Sequence, residues 1–582
     1  MGIVLFPFVF RMLCQNTRAR CGTLLGQPTK TWTFVQSGNH CVTRTKCTVP
    51  TLIGEPRTGA LRMRCTPAVV TLAVTTLVLA ATGCSGSSNS PTDTAALMSS
   101  VRTPLMSDPP PLDPDVFYQP EGLLIMTSAY QGLLRYAPES TEVEGLLATE
   151  WTVSEDGLTY TFTLRDGVKF SDGTPFDSAA AKASFQRRID MAAGPSYMLA
   201  DVRDMQTPDP QTFVVTLTKP VAPFLDYLAS PYGPLMTSPA AIAEHAVGDD
   251  RGAGWLAAHT AGTGPYELTA AIPANRYTLT ANEHYWGEAP QITTVELPVV
   301  AATAVQRMQL ENGQLDMILH GLSKGDYEAL GAGPDTEVRQ ETALVKALVM
   351  VDPDSEVFGP PAARAALSAA LDQTTLTTTV FGDQGSPSTQ FYPSGMLPDG
   401  AVPDTHDFDP AKLAETGRSG GDVEIGYPTG DSSLQNLANQ MQVILQQAGL
   451  TATVRDFPLA QFFALGENPG QRPDLLLASF NPDAAHPDTW SRIYQYTDAP
   501  VNLQGCSVPA ADALLDAGSA EPDPAKSRAL YVEAAKEYRD SLCWINLADL
   551  HNTIAARKGY SGWSSQPAWM WDTDFSTLAY RD

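Results

Sequence analysis

Residues 417–421 (GRSGG) fit the G-x-S-x-G string of serine hydrolases, in which Ser419 would be the nucleophile. Such a nucleophile needs a strand before the serine and a helix after it, so that its oxygen is exposed at a sharp turn. Here the order is reversed, because a predicted helix over 409–416 precedes the string and a predicted strand over 421–427 follows it. We therefore interpret the string as a helix C-terminus and turn.

The histidines, cysteines and paired acids also lack the spacing of a metal or cofactor site. No H-E-x-x-H, Cys-x-x-Cys, G-x-G-x-x-G or phosphate-binding loop occurs. The neighbouring carboxylates Asp249 and Asp250 are interpreted as solvated loop residues. The sequence thus predicts no enzyme, no metal and no cofactor. The eight histidines are His40, His245, His259, His284, His320, His406, His486 and His551.

An export signal is predicted over residues 62–83, where Arg62 and Arg64 precede an apolar run from Ala68 to Ala81. The run is shorter than a membrane-spanning helix and typical of a cleaved secretory signal. Small residues leading to Cys84 resemble a bacterial lipobox, in which that thiol is acylated. An ordinary signal peptide that happens to contain a cysteine is the alternative.

The segments on either side of the signal are interpreted differently from the body of the protein. Residues 84–104 begin with a Ser/Gly/Pro/Thr stretch and are predicted to be a flexible tether. Residues 1–61 show no clear periodicity, and we interpret them as a misassigned or disordered leader with the true start near Met63. A doubly acylated Cys84 would anchor the protein stably to a membrane.

Cys506 and Cys543 are the two cysteines that remain after Cys84. An even pair in an oxidising compartment predicts a disulfide. Two buried free thiols, which behave as small apolar side chains, are the alternative.

Length and charge bound the function of the remaining chain. The 582 residues are too many for one core and predict about three or four domains. Residues 84–582 carry 63 acidic and 28 basic side chains, a net charge of −35. This balance argues against a nucleic-acid-binding surface. Beyond the signal no apolar run approaches 18 residues, so no further membrane span is predicted.

Strands alternate with helices along the body of the chain, which predicts an α/β protein. Thr159, Thr161 and Thr163 alternate with apolar residues as in a half-buried strand, and Asp177 or Ser178 can cap the following helix. Residues 121–136 and 362–382 are each predicted to be helical. The helix over 434–449 has one apolar face, formed by Leu434, Leu437, Met441, Ile444 and Leu445.

An ordered set of motifs resembles the extracellular solute-binding proteins, family 5, the receptors of peptide- and nickel-type ABC importers. Together the motifs span roughly residues 105–560. The strings are LDPD (112–115), WTVSEDGLTYTFTLRDGVKFSDGTPFDSAAAKASFQRR (151–188), GTGPYEL (262–268), ANEHYWG (281–287), NGQLDM (312–317), FDPAKLAETG (408–417), LANQMQVILQQAGLTATV (437–454), PDLLLASFNPD (473–483) and SRALYVEAAKEYRD (527–540).

The resemblance implies a two-lobe periplasmic-binding-protein-like fold with a hinge and an extra subdomain in the first lobe. Lobe one would comprise 105–340, with the subdomain near 131–216, and residues 546–582 would return to it. Lobe two would comprise 341–545. The chain would cross between the lobes near Leu344–Val351 and Leu547–His551, and two crossings allow closure by a few backbone rotations.

The resemblance also implies a ligand site between the lobes. Asp483 matches the carboxylate that holds the α-amino group of the ligand in peptide-binding members, although a turn cap is the usual role of an Asp after Asn-Pro. Tyr118 matches a stretch that runs beside the bound peptide. Phe480 and Trp490 would be apolar walls or core residues, and His486 leaves a metal-chelate ligand open.

One departure from the family bears on the size of the ligand. Dipeptide-specific members carry an Arg before the long lobe-two helix, whereas residues 426–433 (GYPTGDSS) contain no Arg or Lys. We therefore expect a monomeric, membrane-anchored receptor that delivers a peptide longer than a dipeptide to an ABC permease. A receptor for a nickel chelate or other solute, and a non-transport envelope or signalling lipoprotein, remain the alternatives.

Overall fold

The computed structural model describes residues 99–404, 407–415 and 420–581. The predicted leader, the export signal, Cys84 and Ser419 lie outside these residues. Within them, no helix is both long enough and apolar enough to cross a bilayer. Strands and helices alternate along the chain, which confirms the α/β class.

The strands are β1 (Ser100–Arg102), β2 (Leu134–Tyr136), β3 (Val143–Gly145), β4 (Ala148–Val153), β5 (Thr159–Leu164), β6 (Val202–Asp209), β7 (Thr212–Leu217), β8 (Tyr266–Ile272), β9 (Arg276–Ala281), β10 (Thr294–Pro298), β11 (Met317–Ile318), β12 (Thr336–Val351), β13 (Gly385–Pro387), β14 (Asp422–Pro428), β15 (Thr451–Phe457), β16 (Leu475–Phe480), β17 (Trp544–Arg557), β18 (Tyr560–Ser561) and β19 (Ala579–Tyr580). The helices are α1 (Leu123–Ala129), α2 (Ser178–Met191), α3 (Phe224–Ala229), α4 (Pro239–His245), α5 (Ala253–Leu256), α6 (Thr303–Glu311), α7 (Lys324–Gly331), α8 (Pro361–Ala370), α9 (Gln373–Val380), α10 (Ala411–Glu415), α11 (Ser432–Gln447), α12 (Leu459–Phe463), α13 (Pro487–Tyr494), α14 (Pro509–Ala520) and α15 (Pro524–Ser541).

A four-stranded sheet in the order β1-β10-β9-β8 joins β1 to three strands of the range predicted for lobe one. Its strand β1 corrects the tether predicted over 84–104, because Ser100–Arg102 pairs in parallel with Thr294–Glu296. Val101 and Leu105 are at most 1% exposed. The alternation of these apolar residues with polar neighbours gives the segment a buried face, so the folded body begins before residue 104.

A second four-stranded sheet, β4-β5-β7-β6, occupies the region expected for the extra subdomain. The predicted strand is confirmed as β5, and its Tyr160, Phe162 and Leu164 are buried. Asp177 caps α2 by accepting a hydrogen bond from the amide of Ala180, as predicted. Helix α2 therefore begins directly after Asp177, the residue that caps it.

Two predicted helices are shorter than expected. The stretch over 121–136 is helical only to Ala129, because Tyr130 is extended and Leu134–Tyr136 pairs with β3. The stretch over 362–382 divides into α8 and α9, since Leu371 is extended and Asp372 caps α9 through the amide of Thr375. In both cases a local cap or strand partner overrides a continuous apolar pattern.

A seven-stranded mixed sheet in the order β11-β17-β12-β16-β14-β15, with β13 beside β17, includes segments from the ranges predicted for both lobes. Successive residues of β16 face two different cores. Leu475 and Leu477 belong to the cluster with α8, α9 and α11, and Leu476 and Phe480 belong to the cluster on the opposite face. The continuous apolar run of β16 thus reflects burial on both faces.

The long strands β12 and β17 pair along two separate stretches. Thr336–Glu341 pairs with Asn552–Arg557, and Val345–Met350 pairs with Trp544–Leu550. Strand β11 pairs with the other edge of β17 in the first of these stretches. The register shifts between Glu341 and Val345, opposite His551. The shift includes Leu344 and His551, which belong to the two segments predicted to cross between the lobes. A break in the ladder is a place where a few rotations can turn one stretch against the other.

The structure pairs Cys506 with Cys543 in a disulfide whose Cα atoms are 6.3 Å apart. Both cysteines are buried, and the bond ties the loop before α14 to the start of β17. Cross-linking residues 37 positions apart in sequence restricts the unfolded chain.

Replacing both cysteines with alanine should lower the free energy of unfolding by about 2–4 kcal/mol. Urea-induced unfolding followed by tryptophan fluorescence measures the change, and reducing the unmodified protein serves as the matched control. Equal unfolding midpoints for the oxidised, reduced and substituted proteins would show that the bond contributes nothing to stability.

Candidate ligand-binding cleft

Asp483 follows β16 by three residues and is held by tyrosines from the first lobe. The Tyr197 hydroxyl donates to Asp483 Oδ2 over 2.6 Å, and the Tyr118 hydroxyl donates to the same oxygen. Only 7% of Asp483 is exposed. The structure therefore brings the predicted residues Tyr118 and Asp483 into direct contact, and it adds Tyr197.

The backbone around Asp483 is also bound from the first lobe. The Ser230 hydroxyl donates to the carbonyl oxygen of Asp483. The amide of Ala485 donates to the Tyr136 hydroxyl over 2.8 Å. With the two tyrosines on the carboxylate, four side chains of the first lobe contact this short lobe-two loop. The loop thus contacts the range that the sequence assigns to the other lobe.

Among the side chains that the structure describes, those that donate to the carboxylate of Asp483 are neutral. Among the described residues, no Lys, Arg or His forms an ion pair with it, and both side-chain hydrogen bonds fall on Oδ2. Burial raises the pKa of Asp483, and the two tyrosine hydrogen bonds lower it by less. A buried carboxylate of this kind is suited to a cationic partner.

Tyr118 is placed so that its ring borders both Asp483 and solvent. Its ring meets that of Tyr232 edge to face, with centroids 5.3 Å apart. The side chain is 38% exposed although its hydroxyl contacts the buried carboxylate. A ligand beside Asp483 would therefore contact this ring.

A buried ion network fixes the segment that carries Tyr118. Arg187 binds Asp113 over 2.7 Å and also contacts Asp115, whose other oxygen lies 3.0 Å from Arg188. Arg188 is fully buried and donates to the carbonyls of Pro114 (2.7 Å) and Tyr232 (2.6 Å). Two adjacent arginines of α2 thereby hold both backbone segments on which the Tyr118–Tyr232 pair stands.

Phe480 and Trp490 lie beneath the Asp483 loop and not at its surface. Phe480 stacks on Tyr494 at 4.3 Å, and Trp490, only 1% exposed, meets Tyr494 at 5.0 Å. The Tyr494 hydroxyl donates to the carbonyl oxygen of Asn481 over 2.5 Å. Both predicted residues thus support the loop through Tyr494, which agrees with the core role that the sequence left open.

His486 begins helix α13. Its Nδ1 accepts a hydrogen bond from the amide of Asp488 over 3.1 Å, and its ring meets Tyr531 edge to face at 5.0 Å. Burial lowers the pKa of His486 to about 3, so the ring is neutral at pH 7. Among the described residues, no group of three or more His, Cys, Asp or Glu side chains could hold a metal ion.

The loop before helix α11 ends in an aspartate that caps the helix. Asp431 accepts from the amides of Ser433 (3.0 Å) and Leu434 (2.9 Å) and caps α11. The N-terminus of α11 therefore already has a carboxylate.

Sequence reasoning missed Tyr136, Tyr197, Ser230 and Tyr232, which reach the cleft from separate loops and strands. Isolated tyrosines and serines carry no spacing signal of their own. The LDPD and FQRR strings offered a usable signal for the ion network. One string contains two aspartates and the other two arginines, and such residues in two matched family motifs suggest ion pairs between them.

Replacing Arg188 with methionine should lower the free energy of unfolding by about 3–5 kcal/mol, because it leaves the buried carboxylate of Asp115 with one cation fewer. Arg251→Met is the matched control, since Arg251 lies 3.5 Å from Asp190 and both side chains are over a third exposed. The control should change stability by less than about 1 kcal/mol. Urea unfolding measures both, and equal losses would contradict the structural role of the network.

Comparison with known proteins agrees with this architecture. Residues 142–500 match the model of the bacterial extracellular solute-binding proteins, family 5. The chain is 27% identical over 473 residues to the probable D,D-dipeptide-binding periplasmic protein DdpA of Escherichia coli K12. That alignment covers 79% of this chain and 90% of DdpA.

Two solved structures show the same fold at low sequence identity. The ABC transporter-associated periplasmic binding protein DppA of Helicobacter pylori, in complex with the peptide STSA, is 19% identical with a TM-score of 0.70, covering 85% of this chain and all of DppA. NikA of Brucella suis, in complex with Fe(III)-EDTA, is 20% identical with a TM-score of 0.74, covering 83% of this chain and all of NikA. The predicted two-lobe periplasmic-binding-protein-like fold is therefore confirmed.

The family match covers more than half of the chain, and the related proteins are transport receptors and not enzymes. The predicted absence of catalysis accords with that role. The chain belongs to the bacterial extracellular solute-binding proteins, family 5, the extracytoplasmic receptors of ABC importers.

Proposed function

We propose that this receptor captures a peptide longer than a dipeptide between its two lobes and delivers it to a permease. The α-ammonium group of the peptide pairs with Asp483. Closure buries the pair, and the closed form is the one that the ligand binds best.

The observation that carries this proposal is the state of Asp483. Only 7% of the residue is exposed, yet the partners of its carboxylate among the described side chains are two hydroxyls on one oxygen. An ammonium on Oδ1 would supply the charge that burial demands, without displacing either tyrosine. Charge-assisted hydrogen bonds of this kind are roughly twice as strong as neutral ones.

The proposed ligand length is argued from the charged residues beside the N-terminus of α11. A dipeptide held at both ends needs a cation for its carboxylate, and residues 426–433 supply none. Asp431 at the start of α11 would repel a carboxylate placed there. A longer peptide carries its C-terminus away from this loop, so it does not need an Arg or Lys there to bind its carboxylate.

The membrane attachment is proposed from the sequence. Acylation of Cys84 would hold the receptor at the cell membrane, and the residues between Cys84 and β1 would leave the lobes free to close. The residue that carries the lipid can be identified by mass spectrometry of the native N-terminal peptide.

A chelated metal is the second candidate ligand, favoured by the likeness to NikA bound to Fe(III)-EDTA. Such a ligand would bring its own donors, so it requires no metal-binding cluster of the protein. Asp483 would then accept a hydrogen bond from the chelator or pair with a cationic part of it.

Asp483→Asn should have opposite effects on binding and on stability. It should weaken peptide binding by about 2–5 kcal/mol, because the ammonium loses its charged partner. It should also raise the thermal midpoint of the empty protein at pH 7, since the folded state no longer buries a carboxylate. Calorimetric titration and thermal unfolding measure the two effects, with Asp422→Asn, an exposed strand residue, as the matched control.

The stability gain of Asp483→Asn should depend on pH in a defined direction. Because the folded-state pKa of Asp483 is raised, the stability that its protonated form provides is lost as the pH rises through that pKa. The difference between the variant and the unmodified protein should therefore be smallest at acid pH, below the ordinary Asp pKa of about 3.9. A difference that is constant with pH would show that Asp483 is not the group responsible.

Mass spectrometry of molecules that co-purify with the receptor tests the ligand class. A series of peptides with free N-termini, three residues or longer, supports the proposal. A single metal chelate would support the assignment as a receptor but would show that its ligand is not a peptide. Dipeptides alone would refute the length assignment, and an empty protein that no solute stabilises in thermal-shift screening would favour the non-transport lipoprotein.

A further inference from the structure

A cavity of about 480 Å³ lies between the subdomain of lobe one and the helices of lobe two. Nine residues between Tyr197 and Tyr227 line one side, and residues of α13 and α14 line the other. At its edge the amide of Ala222 donates to the carbonyl of Ser519 over 3.0 Å. The cavity therefore forms where the two lobes meet, and its volume falls in the range of about 300–1,000 Å³ of small-molecule sites.

The cavity adjoins the buried carboxylate of the cleft. Tyr197 lines the cavity while its hydroxyl lies 2.6 Å from Asp483 Oδ2. Tyr227 also lines it and meets Tyr197 edge to face, with ring centroids 5.7 Å apart. Tyr197 therefore borders both Asp483 and this space, which places the cavity next to the proposed ammonium site.

The charged side chains that line the cavity leave an excess of negative charge. Asp488 and Asp516 share Arg492, at 2.8 and 2.9 Å. Asp201 faces Lys219 at 3.6 Å, and the Lys219 side chain is 65% exposed. Three carboxylates therefore meet two cations, and the Lys219 contact is of the exposed kind that contributes little.

The rest of the lining is largely apolar. Met198, Leu217, Val221 and Phe224 face the cavity beside the tyrosines. Apolar walls with an acidic rim match a cation carried on an aliphatic stem, which packs its methylenes against the walls and keeps its charge at the rim. A carboxylate in the same place would meet the excess of negative charge.

We infer that this cavity receives the ammonium or guanidinium group of a basic side chain on the bound peptide, with Asp201 and Asp516 as its partners. The inference rests on the proposed function and names the ligand class as basic peptides. Lys219 moves into solvent when the ligand cation takes its place at Asp201. The net charge of −35 over residues 84–582 favours the approach of such ligands over long range.

Calorimetric titration of the purified full-length protein with matched tripeptides tests the inference. Ala-Lys-Ala and Lys-Ala-Ala are each compared with the peptide in which norleucine, a neutral residue with a similar stem, replaces lysine. We expect at least one lysine peptide to bind ten or more times tighter than its norleucine partner. Asp201→Asn with Asp516→Asn should bring that ratio close to one, and Asp190→Asn, an acid of the same subdomain outside the cavity, should leave it unchanged.

Three results overturn the inference, and they differ in what they say about the proposed function. If lysine and norleucine peptides bind equally well, the basic specificity is wrong while peptide capture stands. If none of the peptides binds, both fail together. A lysine preference that survives in the double variant also overturns the assignment to Asp201 and Asp516, and single substitutions serve the same purpose if the double variant does not fold.

Discussion

The contacts of the candidate cleft depend on one constraint, which is that the buried carboxylate of Asp483 requires hydrogen-bond donors. A carboxylate taken out of water needs hydrogen-bond donors, and in this protein the donors come from the other lobe, through Tyr118 and Tyr197. In the proposed mechanism, closing the lobes is therefore also what supplies Asp483 with its hydrogen-bond donors. In that mechanism two neutral hydroxyls hold the closed form more weakly than a ligand ammonium would. That difference in affinity is what can shift the population toward the closed form.

Precision at Asp483 depends on supports that never touch the ligand site. Arg187 and Arg188 hold Asp113 and Asp115, and thereby fix the segment that carries Tyr118. In the second lobe, Phe480 and Trp490 enclose Tyr494, which holds the loop at Asn481. These contacts support the two sides of the proposed site, and the register shift between β12 and β17 lies where the predicted crossings between the lobes would bend.

Much of this arrangement could be predicted from the sequence where the pattern is local or the motif long. The alternation in β5, the cap at Asp177 and the apolar run of β16 each follow from a few adjacent residues. Asp483 and Tyr118 were singled out because they stand inside family motifs. Tyr197 and Tyr232 were not, since their roles arise only when distant loops meet. The premature end of α1 at Ala129 was missed for the same reason, because the competing strand partner is β3.

The most direct test of the central claim compares one peptide library in two forms, with free and with acetylated N-termini. Both forms compete for the purified receptor, and mass spectrometry counts what is retained. Acetylation removes the positive charge that Asp483 is proposed to bind, and breaking such a buried pair weakens binding by about 2–5 kcal/mol. The account predicts that free peptides are retained at least tenfold over their acetylated partners. Equal retention of the two forms would contradict it.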